Sequence, residues 1–438
     1  MKILFTLTTF HRDHIGGAQL YVYNLAGCFQ EAGHQVAILY PISESNYPDH
    51  SLVEDEYDGI KLYKLNHLHV SKEDFLRNYI DFELGEVFRK LLRREKYDVI
   101  HYHHWGGALP RNFEPISKEE GAASVMTFHL YDPLCPKDDL LLPDYSICNG
   151  PLDGIKCVGC YLNPRDFPSM PFKSFADKRV LLEISRILTN PERLWRIVKN
   201  RAIAPLSKRV RGKRADFFDY PPSLIGASYL RNSYVKTVLN RYVDLLIAPS
   251  EFLRKKFIEW GINFEHIIQL SNGMRTERFI DFRKKTSNNI RFAYIGRFSK
   301  TKGIEILVKA FNCLKGDNIQ LDLYGQYDTS FTELALKEHI ENISERPGIN
   351  FMGQFDNRNV AEIFRNIDVL VVPSIWYENQ PLTIQEAFLA HTPVITSDVG
   401  GMAELVKDER DGLLFRVGKA KDLAEKMQRF IDDKTLLH

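Results

Sequence analysis

The feature that most limits the possible folds is a regular alternation of strand-like and helix-like segments after Asn289. Short runs rich in Val, Ile and Leu alternate with stretches whose apolar residues recur every three or four positions. The predicted strands are 290–295, 319–324, 349–352, 369–372 and 393–396, and the predicted helices are 303–314, 331–343, 360–367 and 382–390. This order predicts a doubly wound parallel sheet.

The first part of the chain repeats the alternation less regularly. Strands are predicted at 2–8, 36–40, 97–101, 124–129, 242–248 and 267–270, and helices at 18–32, 72–94 and 251–260, the last capped by Ser250. We therefore predict an α/β fold of two Rossmann-like, doubly wound lobes that face a central cleft. The lobes are residues 1–282 and 283–438, and the polar stretch 283–289 is the candidate linker.

Composition and charge exclude several classes of protein. The 438 residues are 44% apolar and carry a net charge of +1, which predicts substantial cores and argues against nucleic acid as the main partner. No run of 18 apolar residues is present, and the N-terminal segment has neither the length nor the cleavage site of a signal peptide. We expect a cytoplasmic chain with reduced thiols.

The stretch SIWYENQPLTIQE, residues 374–386, connects a predicted strand to a predicted helix. Such strand–loop–helix connections are where α/β sheets bind their ligands. Pro381 suits the first helical position, and the free backbone amides of Leu382 and Thr383 suit a diphosphate. The sequence therefore predicts a phosphate-binding helix terminus here.

Four charged side chains are expected at the same edge of the second sheet. Arg297 follows the strand at 290–295 and Lys302 precedes the next helix, so both could neutralise a diphosphate, with each charge-assisted bond worth roughly 1.5–3 kcal/mol. Glu378 precedes the helix and Glu386 lies within it, so their carboxylates suit hydroxyl groups on either side of the phosphates. A solvated charged turn is the alternative for the two cations.

The first lobe offers two weaker signals. His129 ends a predicted strand, a position that favours ligand binding, although a lone histidine more often fills a polar pocket. Gly16 and Gly17 follow the first strand, where they either form a turn with positive φ or let backbone amides approach a phosphate or sugar.

Four cysteines lie within 26 residues and indicate a metal site. Their spacing is C-x12-C-x8-C-x2-C, and the last pair has the spacing of a metal-binding knuckle. Four thiolates suit structural zinc, and the same ligands suit an iron–sulfur cluster. The predicted ligands are Cys135, Cys148, Cys157 and Cys160, in a loop spanning residues 133–162. Four reduced thiols in an irregular loop are the alternative.

Residues 165–240 interrupt the alternation and indicate a helical insertion. Between Lys173 and Arg214 there are 13 Lys or Arg and three acidic residues, a local balance of +10. Apolar residues are interleaved, as is typical of basic amphipathic helices that bind anionic lipid or a phosphorylated acceptor. This interpretation predicts that the protein binds peripherally to the anionic inner face of a membrane. A solvated basic face is the alternative.

The motifs taken together resemble those of the retaining GT-B glycosyltransferases of family 4. In chain order they are GGAQLYVYNLAGCFQEAGHQV, YDVIHYHHW, TFHLYD, APSEF, SNGM, GRFSKTKG, PSIWYENQPLTIQEAF and TPVITSDVGG. Their order, their spacing and the two glutamates separated by seven residues make the resemblance specific, and it covers nearly the whole chain. The LCP…CNG…CVGC run resembles a cysteine-bearing subgroup of these enzymes.

The resemblance implies a role for each candidate residue. Arg297 and Lys302 would bind the donor diphosphate, Glu378 would lie near the donor sugar, and His129 would face that sugar; these four are the catalytic candidates. The remaining donor-binding candidates are Gly16, Gly17, Asn379, Gln380, Pro381, Leu382, Thr383 and Glu386, the last of which would bind the ribose hydroxyl groups.

The reaction implied is transfer of a sugar, with retention, from a nucleotide-diphosphate sugar to a hydroxyl acceptor. The acceptor would be a sugar or a lipid-linked molecule, in polysaccharide, glycolipid or other glycoconjugate biosynthesis. The departing diphosphate gains negative charge, which the cations and helix amides are placed to stabilise. No Asp-x-Asp motif ends a strand near these residues, so the sequence does not require a catalytic metal ion.

Departures from the family pattern leave the substrates open. Asn379 and His391 replace frequent glycines, Leu130 replaces an aspartate, and Met274–Arg275 replaces an apolar residue and an aspartate. Other interpretations also remain: a sugar-nucleotide epimerase or a phosphorylase of the same fold, a non-catalytic sugar-nucleotide-binding protein, or a membrane adaptor.

Overall fold

Contacts divide the chain into two units in the computed structural model, which describes residues 1–10, 16–68, 80–103, 109–135, 138–142, 144–150, 157, 222–327 and 331–437. The first unit comprises Met1–His11, Ala18–Pro249 and Arg254–Leu270. The second comprises Arg12–Gly17, Ser250–Leu253 and Ser271–His438. The division expected between residues 282 and 283 stays a prediction.

The first unit is built on a sheet that is parallel except at one edge. Its described strands are β1 (Lys2–Thr6), β2 (Gln35–Ile42), β3 (Leu52–Tyr57), β4 (Ile60–Asn66), β5 (Val99–Tyr102), β6 (Ala123–Thr127), β7 (Leu245–Ala248) and β8 (Ile267–Gln269). Their order is β3-β4-β2-β1-β5-β6-β7-β8, and β3 alone among them runs antiparallel to its neighbour. The strand order reverses between β1 and β5, so a ligand crevice is expected at their carboxyl ends.

The helices described up to residue 260 are α1 (Gly17–Glu31), α2 (Phe82–Glu95), α3 (Phe113–Glu119), α4 (Pro222–Tyr242) and α5 (Glu251–Trp260). Helix α1 buries Val22 and Ala26 in one cluster with Phe5 of β1 and Ile38 of β2. The predicted start of α5 is confirmed, because the Ser250 hydroxyl oxygen accepts a hydrogen bond from the backbone amide of Leu253 at 3.2 Å.

Two sequence expectations for this part of the chain are wrong, and one hairpin was not predicted. The described part of the predicted 72–94 helix begins only at Phe82, because Asp81 is extended and its carboxylate accepts hydrogen bonds from the amides that open the helix. The hairpin of β3 and β4 was missed, since β3 carries LVEDEY, in which acidic residues mask the apolar pattern. Helix α4 continues to Tyr242, so β7 begins three residues later than expected.

The second unit is built on an all-parallel sheet. Its strands are β9 (Ile290–Ile295), β10 (Ile319–Tyr324), β11 (Ile349–Gly353), β12 (Val369–Val372), β13 (Val394–Ser397) and β14 (Gly412–Phe415). Their order is β11-β10-β9-β12-β13-β14. The predicted doubly wound sheet is confirmed, and β14 extends it. Here the strand order reverses between β9 and β12.

Helices cover both faces of this second sheet. They are α6 (Ile304–Asn312), α7 (Phe331–Ile343), α8 (Val360–Phe364), α9 (Leu382–Leu389), α10 (Gly400–Leu405) and α11 (Ala420–Asp432). Phe292 and Tyr294 of β9 pack in one core cluster, whereas Ala293 and Ile295 pack in the other. Alternate side chains of a strand point to opposite faces, so this pattern places a core on each side of the sheet.

Some expectations concern residues that the structure does not describe. The basic stretch 173–214 and Cys160 are among them. None of the helices in the described part of the chain combines the length and apolar composition that a membrane-spanning helix needs.

Candidate functional site

The candidate site of the second unit lies where its strand order reverses. Strands β9 and β12 are hydrogen-bonded neighbours, with Phe292 aligned with Val369. Arg297 and Lys302 follow β9, and the loop 374–381 follows β12. Since both connections leave from the carboxyl ends of adjacent parallel strands, these segments lie at the same edge of the sheet.

At this edge of the sheet, three side chains donate hydrogen bonds to the carboxylate of Glu378. Its Oε1 accepts hydrogen bonds from Lys302 Nζ at 2.5 Å, from Ser374 Oγ at 2.8 Å and from Trp376 Nε1 at 2.9 Å. The side chain of Glu378 is 10% exposed and that of Lys302 is 26% exposed. Lys302 Nζ also lies 5.2 Å from the centre of the Trp376 ring. The structure thus brings together two of the four catalytic candidates.

Two close backbone contacts hold this arrangement. Gly303 caps α6 with φ 72°, and a Cβ at this position would lie 1.9 Å from the carbonyl oxygen of Pro373. A Cβ on Gly401 would lie 1.6 Å from the carbonyl oxygen of Asn379, and the Gly401 amide donates to the Glu378 carbonyl at 2.8 Å. Glycine is required at both positions because the backbones pack directly on each other.

Replacing Gly303 with alanine is expected to lower the free energy of unfolding by about 2–4 kcal/mol, through strain at positive φ and the clash with Pro373. Urea denaturation of the purified variant measures this. The matched control is Gly418→Ala, whose φ is 76° but whose Cβ would meet no atom within 4 Å. It carries the φ strain alone, about 1 kcal/mol. Equal losses in the two variants would contradict the proposed clash.

Glu386 lies on α9 with its side chain enclosed by protein. The residue is 4% exposed, and burial raises the pKa of its carboxyl to about 7, an effect that the positive charge of Arg278 partly opposes. Arg278 follows the SNGM motif, and its guanidinium donates to the carbonyl of Asn357 at 3.0 Å. Sequence reasoning missed Arg278; the only signal was a basic residue soon after that motif.

The other donor-binding candidates of this unit form the turn into α9. Asn379 and Gln380 are buried, and the Gln380 side-chain oxygen accepts a hydrogen bond from the amide of Asn272. Pro381 occupies the N-cap, so the expectation that it takes the first helical position is wrong by one residue. Its extended ψ of 122° places it outside the helix, and Leu382 and Thr383 supply the first helical amides.

The candidate residues of the first unit lie at the carboxyl ends of its strands. His129 follows β6 and His103 follows β5, and their rings are joined by a contact of 3.1 Å between His129 Nε2 and His103 Nδ1. The Tyr21 ring of α1 packs edge-on against His129, with ring centres 5.3 Å apart. His101 contacts the His103 ring and bonds Thr127 Oγ1 at 2.8 Å. Sequence analysis predicted His129 but not its partner His103.

Gly16 and Gly17 precede and begin α1. Both are exposed, and a Cβ at either position would meet no atom within 4 Å. Neither has positive φ. The interpretation of these glycines as a turn with positive φ is therefore wrong. The interpretation that their backbone amides approach a phosphate or sugar stays a prediction.

Three of the four cysteines of the predicted metal site lie among the described residues. Cys135, Cys148 and Cys157 are each partly exposed. The fourth predicted ligand, Cys160, lies outside the described residues, so the four-cysteine site stays a prediction.

Family models match both parts of the chain. Residues 15–151 match the model described as Glycosyltransferase Family 4, and residues 276–438 match the model described as Glycosyl transferases group 1. The two Rossmann-like sheets and the two family models together support the assignment of this chain as a GT-B glycosyltransferase. The predicted fold class of two Rossmann-like α/β lobes is therefore confirmed.

Similar proteins and structures agree with this assignment. An uncharacterized glycosyltransferase of Methanocaldococcus jannaschii is 29% identical over 99% of this chain and 90% of that protein. The capsular polysaccharide biosynthesis glycosyltransferase CapM of Staphylococcus aureus is 29% identical over 44% of this chain and 53% of its own length. Sucrose-phosphate synthase from Thermosynechococcus elongatus has a similar structure, with a TM-score of 0.63 at 19% identity, covering 99% of this glycosyltransferase and 90% of that chain.

A second similar structure contains nucleotide and sugar. Anabaena HepE in complex with UDP and glucose gives a TM-score of 0.57 at 17% identity, covering 99% of this chain and 91% of that one. At this level of identity the likeness concerns the fold.

Proposed function

We propose that this glycosyltransferase transfers a sugar, with retention, from a nucleotide-diphosphate sugar to a hydroxyl acceptor, without a catalytic metal ion. The observation that carries the proposal is the contact between Lys302 and Glu378 at the edge where the second sheet reverses its strand order. A cation, a buried carboxylate and a helix N-terminus at one edge suit a diphosphate flanked by hydroxyl groups.

Each residue has a distinct part in the proposed reaction. Lys302 and Arg297 bind the diphosphate, and the first amides of α9 add partial positive charge, so the leaving group is stabilised as its negative charge grows. Glu378 orients the sugar, because three hydrogen-bond donors fix its Oε1 and turn the carboxylate into a rigid acceptor. Glu386 binds the ribose hydroxyl groups.

Retention requires the acceptor to attack from the face that the diphosphate leaves. A departing diphosphate oxygen then takes the proton of the attacking hydroxyl as the new glycosidic bond forms and the sugar–phosphate bond breaks. The acceptor hydroxyl is the nucleophile of the proposed reaction, which uses no nucleophilic protein side chain. His129 and Gly17 remain candidates for contacts with the donor.

Support for the substrate class comes from the relatives. CapM acts in capsular polysaccharide biosynthesis, and the HepE structure holds UDP and glucose. We therefore propose a nucleotide-activated hexose as donor and a growing polysaccharide or lipid-linked sugar as acceptor. The basic stretch 173–214 would favour an anionic or membrane-bound acceptor.

A panel of nucleotide sugars tests the proposal in two steps. The donor is expected to raise the melting temperature, because a ligand bound only to the folded state stabilises it. Turnover of that donor with alcohol and sugar acceptors should then give a product whose anomeric configuration, measured by NMR, matches the donor. An inverted product would refute retention. A donor epimerised without acceptor, or consumed only with orthophosphate, would refute transfer.

A further inference from the structure

Three potential metal ligands converge in the first unit, far along the chain from the donor-site candidates of the second unit. His50 Nε2 lies 3.8 Å from Asp81 Oδ2, and His67 Nε2 lies 3.7 Å from the same oxygen. One ligand atom from each residue falls within 4.8 Å of the other two. His67 and Asp81 are buried at 4% and 3% exposure, and the His50 side chain is 19% exposed.

The backbone around the two histidines is held firmly. His50 has φ 56°, and its amide donates to the Asn66 carbonyl at 2.9 Å and to Asp49 Oδ1 at 3.0 Å. The His67 amide donates to the Ile42 carbonyl at 2.9 Å. The buried Asn66 amide group donates to the carbonyls of the loop before His50, which are those of Glu44, Tyr47 and Pro48. Positive φ in a non-glycine residue costs energy, so this geometry persists because its surroundings enforce it.

Asp81 divides its two carboxylate oxygens between two tasks. Oδ1 accepts hydrogen bonds from the amides of Glu83 and Leu84 at 3.0 Å each, which caps α2. Oδ2 faces both histidines. The Asn112 side chain donates to the Asp81 carbonyl at 2.9 Å and fixes the backbone. The carboxylate is therefore oriented before any ligand arrives.

The ring of His50 is supported on its other side by carboxylates. Its Nδ1 lies 3.2 Å from Glu83 Oε2 and 3.7 Å from Asp49 Oδ2. When a carboxylate accepts a hydrogen bond from Nδ1–H, the proton stays on Nδ1 and the Nε2 lone pair is available to a metal ion. Metal-binding histidines commonly have such a carboxylate partner. The lone pair then points to the side where Asp81 and His67 lie.

The spacing between these atoms is wider than that of direct hydrogen bonds and close to that of ligands around one metal ion. Direct hydrogen bonds between these atoms would measure about 2.7–3.2 Å, shorter than the observed 3.7 and 3.8 Å. Two ligand atoms about 2.1 Å from a tetrahedral zinc ion lie about 3.4 Å apart. The two distances to Asp81 need to shorten by about 0.3–0.4 Å to reach this value. The two histidine nitrogens lie within 4.8 Å of each other, so their side chains would close around the ion as it binds.

We propose that His50, His67 and Asp81 bind a zinc ion. Two imidazole nitrogens and one carboxylate oxygen are a zinc ligand set, and water would take the fourth position. The ion would join the loop before β3, the end of β4 and the start of α2. It would stabilise the first unit and takes no part in the proposed transfer step.

Zinc titration of chelator-treated full-length protein tests the proposal. Wild type is expected to bind one more equivalent of Zn²⁺ than His50→Gln, and saturating Zn²⁺ should raise its melting temperature by about 5 °C more than that of the variant. Asp81→Asn is the second variant, since its side-chain oxygen can still cap α2. The matched control is His339→Gln, an exposed histidine that pairs with Glu305 in the second unit and should bind as wild type does.

Cobalt separates this site from the predicted cysteine site. Co²⁺ bound by thiolates gives a strong sulfur-to-metal charge-transfer band, whereas a site of nitrogen and oxygen ligands does not. The difference spectrum between wild type and His50→Gln should therefore lack that band. Equal zinc stoichiometry in wild type and both site variants, or a difference spectrum with the thiolate band, would overturn the proposal.

Discussion

Replacing Lys302 with alanine is expected to lower kcat by about 10²–10³-fold, the usual loss when one preorganised group that stabilises a developing anion is removed. Lys302 Nζ bonds Glu378 Oε1 at 2.5 Å, so the change also removes the cation that helps to orient this carboxylate. Initial rates with the donor identified from the panel provide the measurement. Substrate binding should weaken less than turnover, because the charge on the diphosphate grows toward the transition state.

Lys300→Ala is the matched control for this experiment. Lys300 lies two residues away in the same turn and is exposed. Its replacement removes an equal charge from the same region while the Glu378 contact stays. Equal losses of activity in the two lysine variants would mean that only the total positive charge near the diphosphate matters. The specific role assigned to Lys302 would then be refuted.

The second large effect concerns pH and Glu386. Burial raises the pKa of its carboxyl to about 7, and hydroxyl groups donate best to the ionised form. Donor affinity should therefore rise by up to about tenfold for each pH unit below pH 7 and level off above it. Isothermal titration calorimetry from pH 5.5 to about 8.5 measures this, a range chosen to bracket that pKa. Glu386→Gln should bind weakly at every pH.

The same shift has a consequence for stability, with a definite sign. Because the pKa is raised on folding, the folded state binds the proton more tightly, and stability is lost as the pH rises from 4.5 to about 7. A shift from 4.5 to about 7 corresponds to about 3 kcal/mol. Glu386→Gln removes this cost and should be more stable than wild type above pH 7.

Glu114→Gln is the control for the binding measurement. Glu114 lies on α3 in the first unit, and burial raises its pKa to about 7 as well. Its replacement should change the pH dependence of stability while the pH dependence of donor affinity stays that of wild type. If Glu114→Gln abolishes the pH dependence of binding, or Glu386→Gln retains it, the role assigned to Glu386 is refuted.

The sequence predicted those features that depend on local pattern. The strands of the second sheet are short apolar runs, and their order places Arg297, Lys302 and the 374–386 stretch at one edge by topology alone. Glu386 could be predicted to lie inside a helix. The strength of its pKa shift could not, since it depends on how completely neighbouring segments enclose the carboxyl.

Features that depend on distant residues were missed for physical reasons. His50, His67 and Asp81 are separated by 17 and 14 residues, so no local spacing marks them as ligands of one ion. They meet only because the β3–β4 hairpin returns the chain to the start of α2. That hairpin was itself hidden by the acidic residues of β3. The pairing of His103 with His129 likewise follows from the adjacency of β5 and β6.

The glycines described above differ in the room they leave for a side chain. A Cβ at Gly303 or Gly401 would overlap a carbonyl oxygen, whereas a Cβ at Gly16 or Gly17 would meet no atom within 4 Å. In a saturation mutagenesis screen that records cellular abundance and catalysis separately, substitutions at the first pair would deplete both readouts together. A substitution at Gly16 or Gly17 that abolishes catalysis at normal abundance would indicate that substrate occupies the space beside these glycines. Mutations at these two positions can therefore detect ligand contact without disturbing the fold.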